Sequence, residues 1–300
     1  MNVWLENANL SSNSGPNSFA QKLTSALSRK DVRVNVEPHD VSLCFIESFR
    51  KDIHSIPTVQ RLDGIYFNVA QNFELQNSNI FRTYKQSNAV VFQSNFNKEL
   101  TFHWFGERDN YSVIHNGANL ELINTIKPLQ SPSLDKYENI WCCAASWRPH
   151  KRLKDNIKYF LQHSGPRDVL FIAGDKQNEQ IPEDSKVKYL GVLTTPQLLS
   201  LYKTATNFIH LAWLDHCPNV VVDARASGCN IICTDSGGTR EIAGPDATII
   251  EQEPWDFQPT LLYHPPPLDF SRKVNNSYDV EYDMNKVANQ YCNVLSSIVR

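Results

Sequence analysis

Short apolar runs alternate along most of the chain with stretches in which apolar residues return every three or four positions. In the first half the runs are Val3-Trp4-Leu5, Val41 to Ile46, Thr58 to Leu62, Ala89 to Phe92 and Ser112 to His115. Runs this short read as buried strands. Between the first two, Phe19, Leu23 and Leu27 recur at helical spacing behind the polar loop Ser11-Ser12-Asn13-Ser14-Gly15-Pro16-Asn17, which is able to cap a helix. A strand, a Gly-containing turn and a helix are expected there.

A second cycle starts at Ile140 to Ala145 and continues with a helix over Leu153 to Gln162, strands at Val169 to Ala173 and Val187 to Val192, and a helix near Thr195 to Tyr202. It goes on with a strand at Asn207 to Leu211, a helix over Asn219 to Ala226 and a strand at Asn230 to Thr234. The polar, Pro-containing segment 127–133 separates the two cycles and is the natural linker. From Pro254 the pattern turns irregular, until Val287, Tyr291, Val294, Leu295 and Ile298 share one helical face. The expectation is an α/β protein of two Rossmann-like, doubly wound domains facing a cleft: residues 1–130, residues 131–280, and a helix within 281–300 packing back toward the first domain. No fixed-period repeat interrupts this plan.

Composition narrows the function. Three hundred residues, 41% hydrophobic, suffice for two compact cores. A net charge of -3 without a basic cluster argues against a nucleic-acid partner. The start, Met-Asn-Val-Trp-Leu-Glu-Asn, lacks the form of a signal peptide, and no run is apolar for long enough to span a bilayer. A cytoplasmic protein is expected, with peripheral membrane contact left open. The seven cysteines are odd in number and mostly sit in apolar runs, so they read as buried free thiols.

The chemistry concentrates in Leu214-Asp215-His216-Cys217-Pro218-Asn219-Val220-Val221-Val222-Asp223-Ala224-Arg225-Ala226-Ser227-Gly228. Pro218 suits a helix start and Gly228 its stop, which puts Asp223 about one turn inside the helix. The amides of Asn219 and Val220 at such a start are placed to hold a phosphate. A carboxylate one turn in can accept from ribose hydroxyls, while one in the preceding loop, Asp215, can reach a sugar ring.

These residues, with the following strand and Thr234-Asp235-Ser236-Gly237-Gly238-Thr239-Arg240-Glu241-Ile242, resemble the donor signature of the retaining glycosyltransferases of family 4, glycosyl transferases group 1. That signature usually reads Glu-x7-Glu; both acids are Asp in this chain, each one methylene shorter. The resemblance implies the GT-B fold, no metal and no cofactor beyond the donor substrate, a UDP- or GDP-linked sugar. It also implies retention of configuration and an acceptor hydroxyl on a glycan, lipid or other molecule.

Residue by residue, the resemblance places a diphosphate-gripping pair in Ala144-Ala145-Ser146-Trp147-Arg148-Pro149-His150-Lys151-Arg152, with Lys151 on the family's lysine position and Arg148 as its arginine. Arg152 is the substitute. Two fixed cations there would stabilise the charge that develops on a departing diphosphate. Gly15 matches the Gly-containing loop after the first strand, and the stretch ending Val192-Leu193 matches the place of the nucleobase. The donor set is then Gly15, Arg148, Lys151, Leu193, Asp215, His216, Cys217, Asn219, Val220 and Asp223. Asp63 stands where the family's first domain commonly carries a histidine, and joins Asp215, Arg148 and Lys151 as a candidate catalytic group.

Other classes fit less well. No Asp-x-Asp occurs, as a metal-dependent transferase of the other common fold would need. His210, His216, Cys217, Cys229 and Cys233 do not keep a zinc-site spacing, because a Gly and a strand intervene. The first turn lacks the Gly-x-Gly-x-x-Gly of a dinucleotide enzyme. The rival from another class is a non-catalytic nucleotide-sugar or glycan-binding protein on the same fold, motivated by the Glu-to-Asp changes and by Asp63.

Overall fold

A computed structural model describes residues 1–12 and 14–299. The first half builds a sheet from β1 (Asn2–Glu6), β2 (Arg33–Val34), β3 (Val41–Phe45), β4 (Thr58–Leu62), β5 (Ala89–Phe92) and β6 (Tyr111–Val113). Its order is β2-β1-β3-β4-β5-β6, parallel throughout. β3, β4 and β5 are buried along their whole length, as strands of a parallel sheet covered on both faces must be, although β4 carries the buried polar groups Gln60 and Arg61. Around them lie α1 (Gly15–Ser28), α2 (Phe73–Gln86) and α3 (Asn95–Phe105). α1 begins at Gly15 with Pro16 in its first turn, and Ser14 at the N-cap makes no side-chain capping bond. Asn13, in the loop expected to cap this helix, lies outside the described residues.

After α4 (Leu120–Thr125) the second sheet contains β7 (Ile140–Ala144), β8 (Val169–Ala173), β9 (Val187–Gly191), β10 (Asn207–His210), β11 (Asn230–Thr234), β12 (Thr248–Ile250) and β13 (Lys273–Val274). The order is β13-β12-β11-β10-β7-β8-β9; every pairing is parallel except that of β12 with β13. Its helices are α5 (Leu153–His163), α6 (Thr195–Thr204), α7 (Asn219–Ala226) and α8 (Thr239–Ala243). The direction in which successive strands are added reverses between β7 and β10 in this sheet, and between β1 and β3 in the first. In a parallel α/β sheet such a reversal opens a crevice at the carboxyl ends of the strands.

Two later segments cross from the second sheet to the first. Residues 254–262 run against the loop after β4: Val69 N donates to Thr260 O at 3.0 Å, Thr260 N to Phe67 O at 3.0 Å, and Trp104 Nε1 to Phe257 O at 2.8 Å. Trp255, Phe257 and Leu262 pack there with the first unit's apolar residues. Then α9 (Met284–Ile298) lies on α1 and the first sheet. Met284, Val287, Ala288, Tyr291 and Leu295 recur at helical spacing and share one core with Phe19, Leu23 and Leu27 of α1. Gly117 lets α9 enter: a Cβ there would lie 2.9 Å from the backbone of Met284.

Candidate active site

Lys151 follows β7 and Asp215 follows β10, so both stand at the reversal of the second sheet. The Lys151 ammonium pairs with Asp215 Oδ2, and His210 Nε2, at the end of β10, lies 2.9 Å from the same oxygen. Burial acts to raise the Asp215 pKa, but Lys151 and His210 outweigh it and hold the carboxyl well below its usual range. The turn carrying Asp215 is fixed by the segment after β11. Leu214 takes a positive φ of 54°, its N–H donates to Ser236 Oγ at 3.1 Å, and Gly238 N donates to Asp215 O at 2.8 Å. A Cβ on Gly237 would lie 2.4 Å from Asp215 O, and one on Gly238 2.0 Å from His216 O. The Gly-Gly pair is therefore a steric requirement of the Asp215-His216 turn.

Arg148 is exposed beside Lys151, and its side chain makes no hydrogen bond or ion pair among the described residues. Arg152 is different. It takes a left-handed φ of 54°, and its buried guanidinium donates to Leu211 O, Gln252 Oε1 and Pro266 O. The bond to Pro266 ties down part of the segment after residue 254, and Arg152, 3% exposed, spends its terminal nitrogens on the core where Arg148 is open to solvent. His150, buried between them, stacks on Tyr263 with ring centroids 5.6 Å apart. Burial, reinforced by Lys151, pushes its pKa down to about 3.

α7 begins at Asn219 behind Pro218, so the amides of Asn219 and Val220 precede the first intrahelical bond. Asn219 Nδ2 donates to Gly15 O at 2.9 Å, joining α7 to the start of α1 across the cleft. A Cβ on Gly15 would meet nothing within 4 Å. Asp223, one turn further in, is bridged by Lys22 of α1, whose Nζ is 2.7 and 2.8 Å from the two carboxylate oxygens. Val220 and Leu193 are half-buried against the second core, and Val192 beside Leu193 is 76% exposed.

His216 and Cys217 face the first unit. The His216 ring lies against Gly64, where a Cβ would come within 2.5 Å of Nε2, and near Phe96 at 5.4 Å between centroids. Burial lowers its pKa to about 4. Cys217 O accepts from Asn116 Nδ2 at 2.8 Å, and burial raises the thiol to about 12. Asn116 Oδ1 in turn accepts from Arg61 at 2.7 Å.

Arg61 is fully buried, with its guanidinium 4.0 Å from the Phe19 ring, bonded to Tyr291 Oη at 3.1 Å and paired with Asp63. Burial acts to lower the Arg61 pKa, but Asp63 and Tyr291 outweigh it and keep the group charged. Asp63 thus sits at the carboxyl end of β4 with one oxygen on Arg61; Oδ2 is buried without a partner.

Three groups that sequence reading did not single out complete the cleft. Lys22 is one and His210, weighed only as a metal ligand, is another. The third is Glu241, which accepts from the amides of Asn95 and Phe96 at the start of α3 at 2.8 and 2.9 Å, and lies 2.8 Å from His115 Nε2. Burial acts to raise the Glu241 pKa, but His115 and those amides hold it below its usual value. Lys22 and Glu241 meet partners more than a hundred residues away, although Glu241 closes the Gly-Gly-Thr-Arg-Glu run; His210 meets Asp215 only five residues on, across the turn after β10. Among the described residues no group of three or more His, Cys, Asp or Glu side chains is placed to hold a metal ion. A cavity of 510 Å³ lined by Lys158, His163 and Phe270 and another of 530 Å³ lined by Asp40, Asn88 and Ile298 contain none of the candidate residues.

Residues 127–257 match the model of the family described as glycosyl transferases group 1. No curated protein matches the sequence. Among solved structures the chain is similar to Anabaena HepE in complex with UDP-glucose, with a TM-score of 0.68 and 14% identity over 99% of this chain and 100% of that one. It is also similar to AviGT4, a glycosyltransferase involved in avilamycin A biosynthesis, with a TM-score of 0.62 and 13% identity over 100% and 98%. A third is sucrose-phosphate synthase from Thermosynechococcus elongatus, with a TM-score of 0.61 and 12% identity over 100% and 91%. At such identities the likeness establishes the fold, which is GT-B.

Proposed function

We propose that a chain with this GT-B fold is a glycosyltransferase, moving a sugar from a nucleoside diphosphate to an acceptor hydroxyl with retention and without a metal. One observation carries the reading: Asp215 and Lys151 meet where the strand order of the second sheet reverses, beside α7, inside the segment that matches the family model. In this reading residues 131–280 form the donor side, residues 1–130 the acceptor side, and the protein works in the cytoplasm. Among the described residues, no helix is long and apolar enough to cross a membrane. UDP is favoured as the donor base over GDP, because HepE, similar in fold, was solved with UDP-glucose.

The roles follow from charge and position. Lys151 exchanges Asp215 for the donor diphosphate and, with Arg148, stabilises the leaving oxygen as the sugar bond breaks. Released from Lys151, Asp215 remains anchored by His210 and turns to the transferred ring. The amides of Asn219 and Val220 take phosphate, Gly15 borders it, Asp223 takes the ribose hydroxyls, and Leu193 lies under the base. His216 and Cys217 form the wall toward Asp63, whose unpartnered oxygen is buried on the acceptor side. The leaving diphosphate oxygen deprotonates the acceptor on the same face of the sugar.

The test is transfer or hydrolysis of UDP- and GDP-sugars in the presence of EDTA. Turnover that persists with EDTA and falls in Lys151→Ala supports the proposal; turnover restored only by magnesium or manganese overturns its metal-free form. Nucleotide binding without any turnover would favour a non-catalytic binding protein.

A further inference from the structure

Both carboxylates assigned to the donor site are paired with a lysine. For Asp215 that lysine is Lys151, which the donor diphosphate itself recruits. For Asp223 it is Lys22, which has no such role. The Lys22 Nζ lies 2.7 and 2.8 Å from the two oxygens of Asp223 and 3.4 Å from Gly117 O, and both side chains of the pair are 16% exposed. An ammonium nearly equidistant from two carboxylate oxygens sits on the edge that bisects them. Two adjacent hydroxyls bind a carboxylate through that same edge, with parallel O–H···O bonds. The two arrangements exclude one another.

Resting on the reading of Asp223 as the ribose ligand, we propose that Lys22 gates the donor site and sets its selectivity for ribonucleotides. In the empty protein Lys22 satisfies a largely buried carboxylate that would otherwise be poorly solvated. A nucleotide wins Asp223 only by replacing two bonds with two bonds, which a ribose with its 2′ and 3′ hydroxyls can do. A 2′-deoxynucleotide offers one, and leaves Lys22 in place. The exchange also frees α1 from α7 at this point while Asn219 still holds Gly15, so donor occupancy loosens one of two links between these helices.

The test is calorimetric titration of UDP and GDP, each beside its 2′-deoxy counterpart, into the full chain and into Lys22→Met and Lys22→Arg. Using the ratio of ribo to deoxy affinity cancels the general effect of removing a cation near a diphosphate. The ratio is expected to fall roughly fivefold in Lys22→Met: a deoxynucleotide then reaches Asp223 with its one hydroxyl unopposed, and that hydrogen bond to a charged group is worth more than the modest ion pair from which the ribonucleotide is relieved. In Lys22→Arg the ribonucleotide alone should weaken, because the guanidinium that it must displace binds a carboxylate through two parallel bonds. Melting curves of the three proteins establish that they are folded. An unchanged or higher ratio in Lys22→Met, with the wild type binding nucleotide, overturns the gate and leaves the donor site standing. No binding of any nucleotide by any of the three overturns the donor-site reading itself, and the gate with it.

Discussion

Asp215 is held charged by two partners that differ in what they can do next. Lys151 can leave for a phosphate; His210, buried behind it, cannot. Asp215→Asn is therefore expected to keep nucleoside-diphosphate affinity close to wild type while lowering kcat by roughly a hundredfold, the scale of losing one group aimed at developing charge. Calorimetry beside steady-state kinetics separates the two effects, and an equal loss in UDP affinity would reject the division between Asp215 and Asp223. For Asp223 the structure adds a condition, because its substitution also removes the partner of Lys22. Asp223→Ala should weaken UDP by about 1.5–3 kcal/mol in a Lys22→Met background, the range for hydrogen bonds to a charged group. In the wild-type background the loss should be smaller, and equal losses would argue against competition for that carboxylate. The acids themselves were legible in sequence, because helix start, spacing and Gly-Gly run lie within one local segment. Lys22 was not, since 201 residues separate it from Asp223 and a lysine on a helix face carries no mark of its partner. Arg152 shows the converse: its basic neighbourhood resembles a phosphate grip, but a left-handed backbone turns the side chain inward to three acceptors.

Helices and strands divide in the same way. Thr58–Leu62, Ala89–Phe92, Val169–Ala173 and Asn230–Thr234, and the helix Asn219–Ala226, fall where the apolar pattern puts them, since each is covered by the protein's own core. α2 and α3 left weaker traces. On α2 the inward face includes Asn77 and Thr83, and on α3 Asn97 and Thr101, which blur an apolar stripe. Those polar groups are bonded: Asn77 to the backbone of Tyr66, Asn97 to Leu62 O. The segment after Pro254 reads as irregular because its order comes from contacts with the other unit. The loop of Gly237 and Gly238 and the short α8 give two tests at this scale. Gly238→Ala should cost about 1–3 kcal/mol, the range for overpacking, because its Cβ would meet His216 O and the Ser94 side chain. Glu241→Ala leaves the Asn95 and Phe96 amides and His115 without their acceptor, and is expected to cost about 2–4 kcal/mol. Urea titrations measure both; values within error of wild type would show that the two units are not held together there.

Across the whole molecule, burial lowers three histidines of the cleft from an ordinary value of about 6.5: His150 to about 3, His216 to about 4, and His210 as well. The unfolded chain takes up protons on these rings below about pH 6.5 and the folded one does not, so stability is full above that pH and falls as pH drops toward 4. Asp215 and Glu241, with lowered values, add a further loss only below the ordinary carboxylate range. Thermal melts from pH 7.5 to 4.5 should hold Tm level down to about pH 6.5 and lower it below that, less steeply in His216→Gln; a profile flat throughout would contradict the burial of these rings.

The return of α9 bears on how the protein is made. Phe19, Leu23 and Leu27 emerge from the ribosome early, yet the residues that cover them, Val287, Tyr291 and Leu295, are synthesised after the entire second sheet. The buried Arg61 waits equally long for its Tyr291 hydroxyl. The early half of the nascent chain must therefore carry an open apolar face through most of translation, although it is read first. Chains arrested on the ribosome near residue 280 should accordingly bind hydrophobic-surface chaperones and remain sensitive to protease within α1. Both properties should disappear once α9 has cleared the exit tunnel.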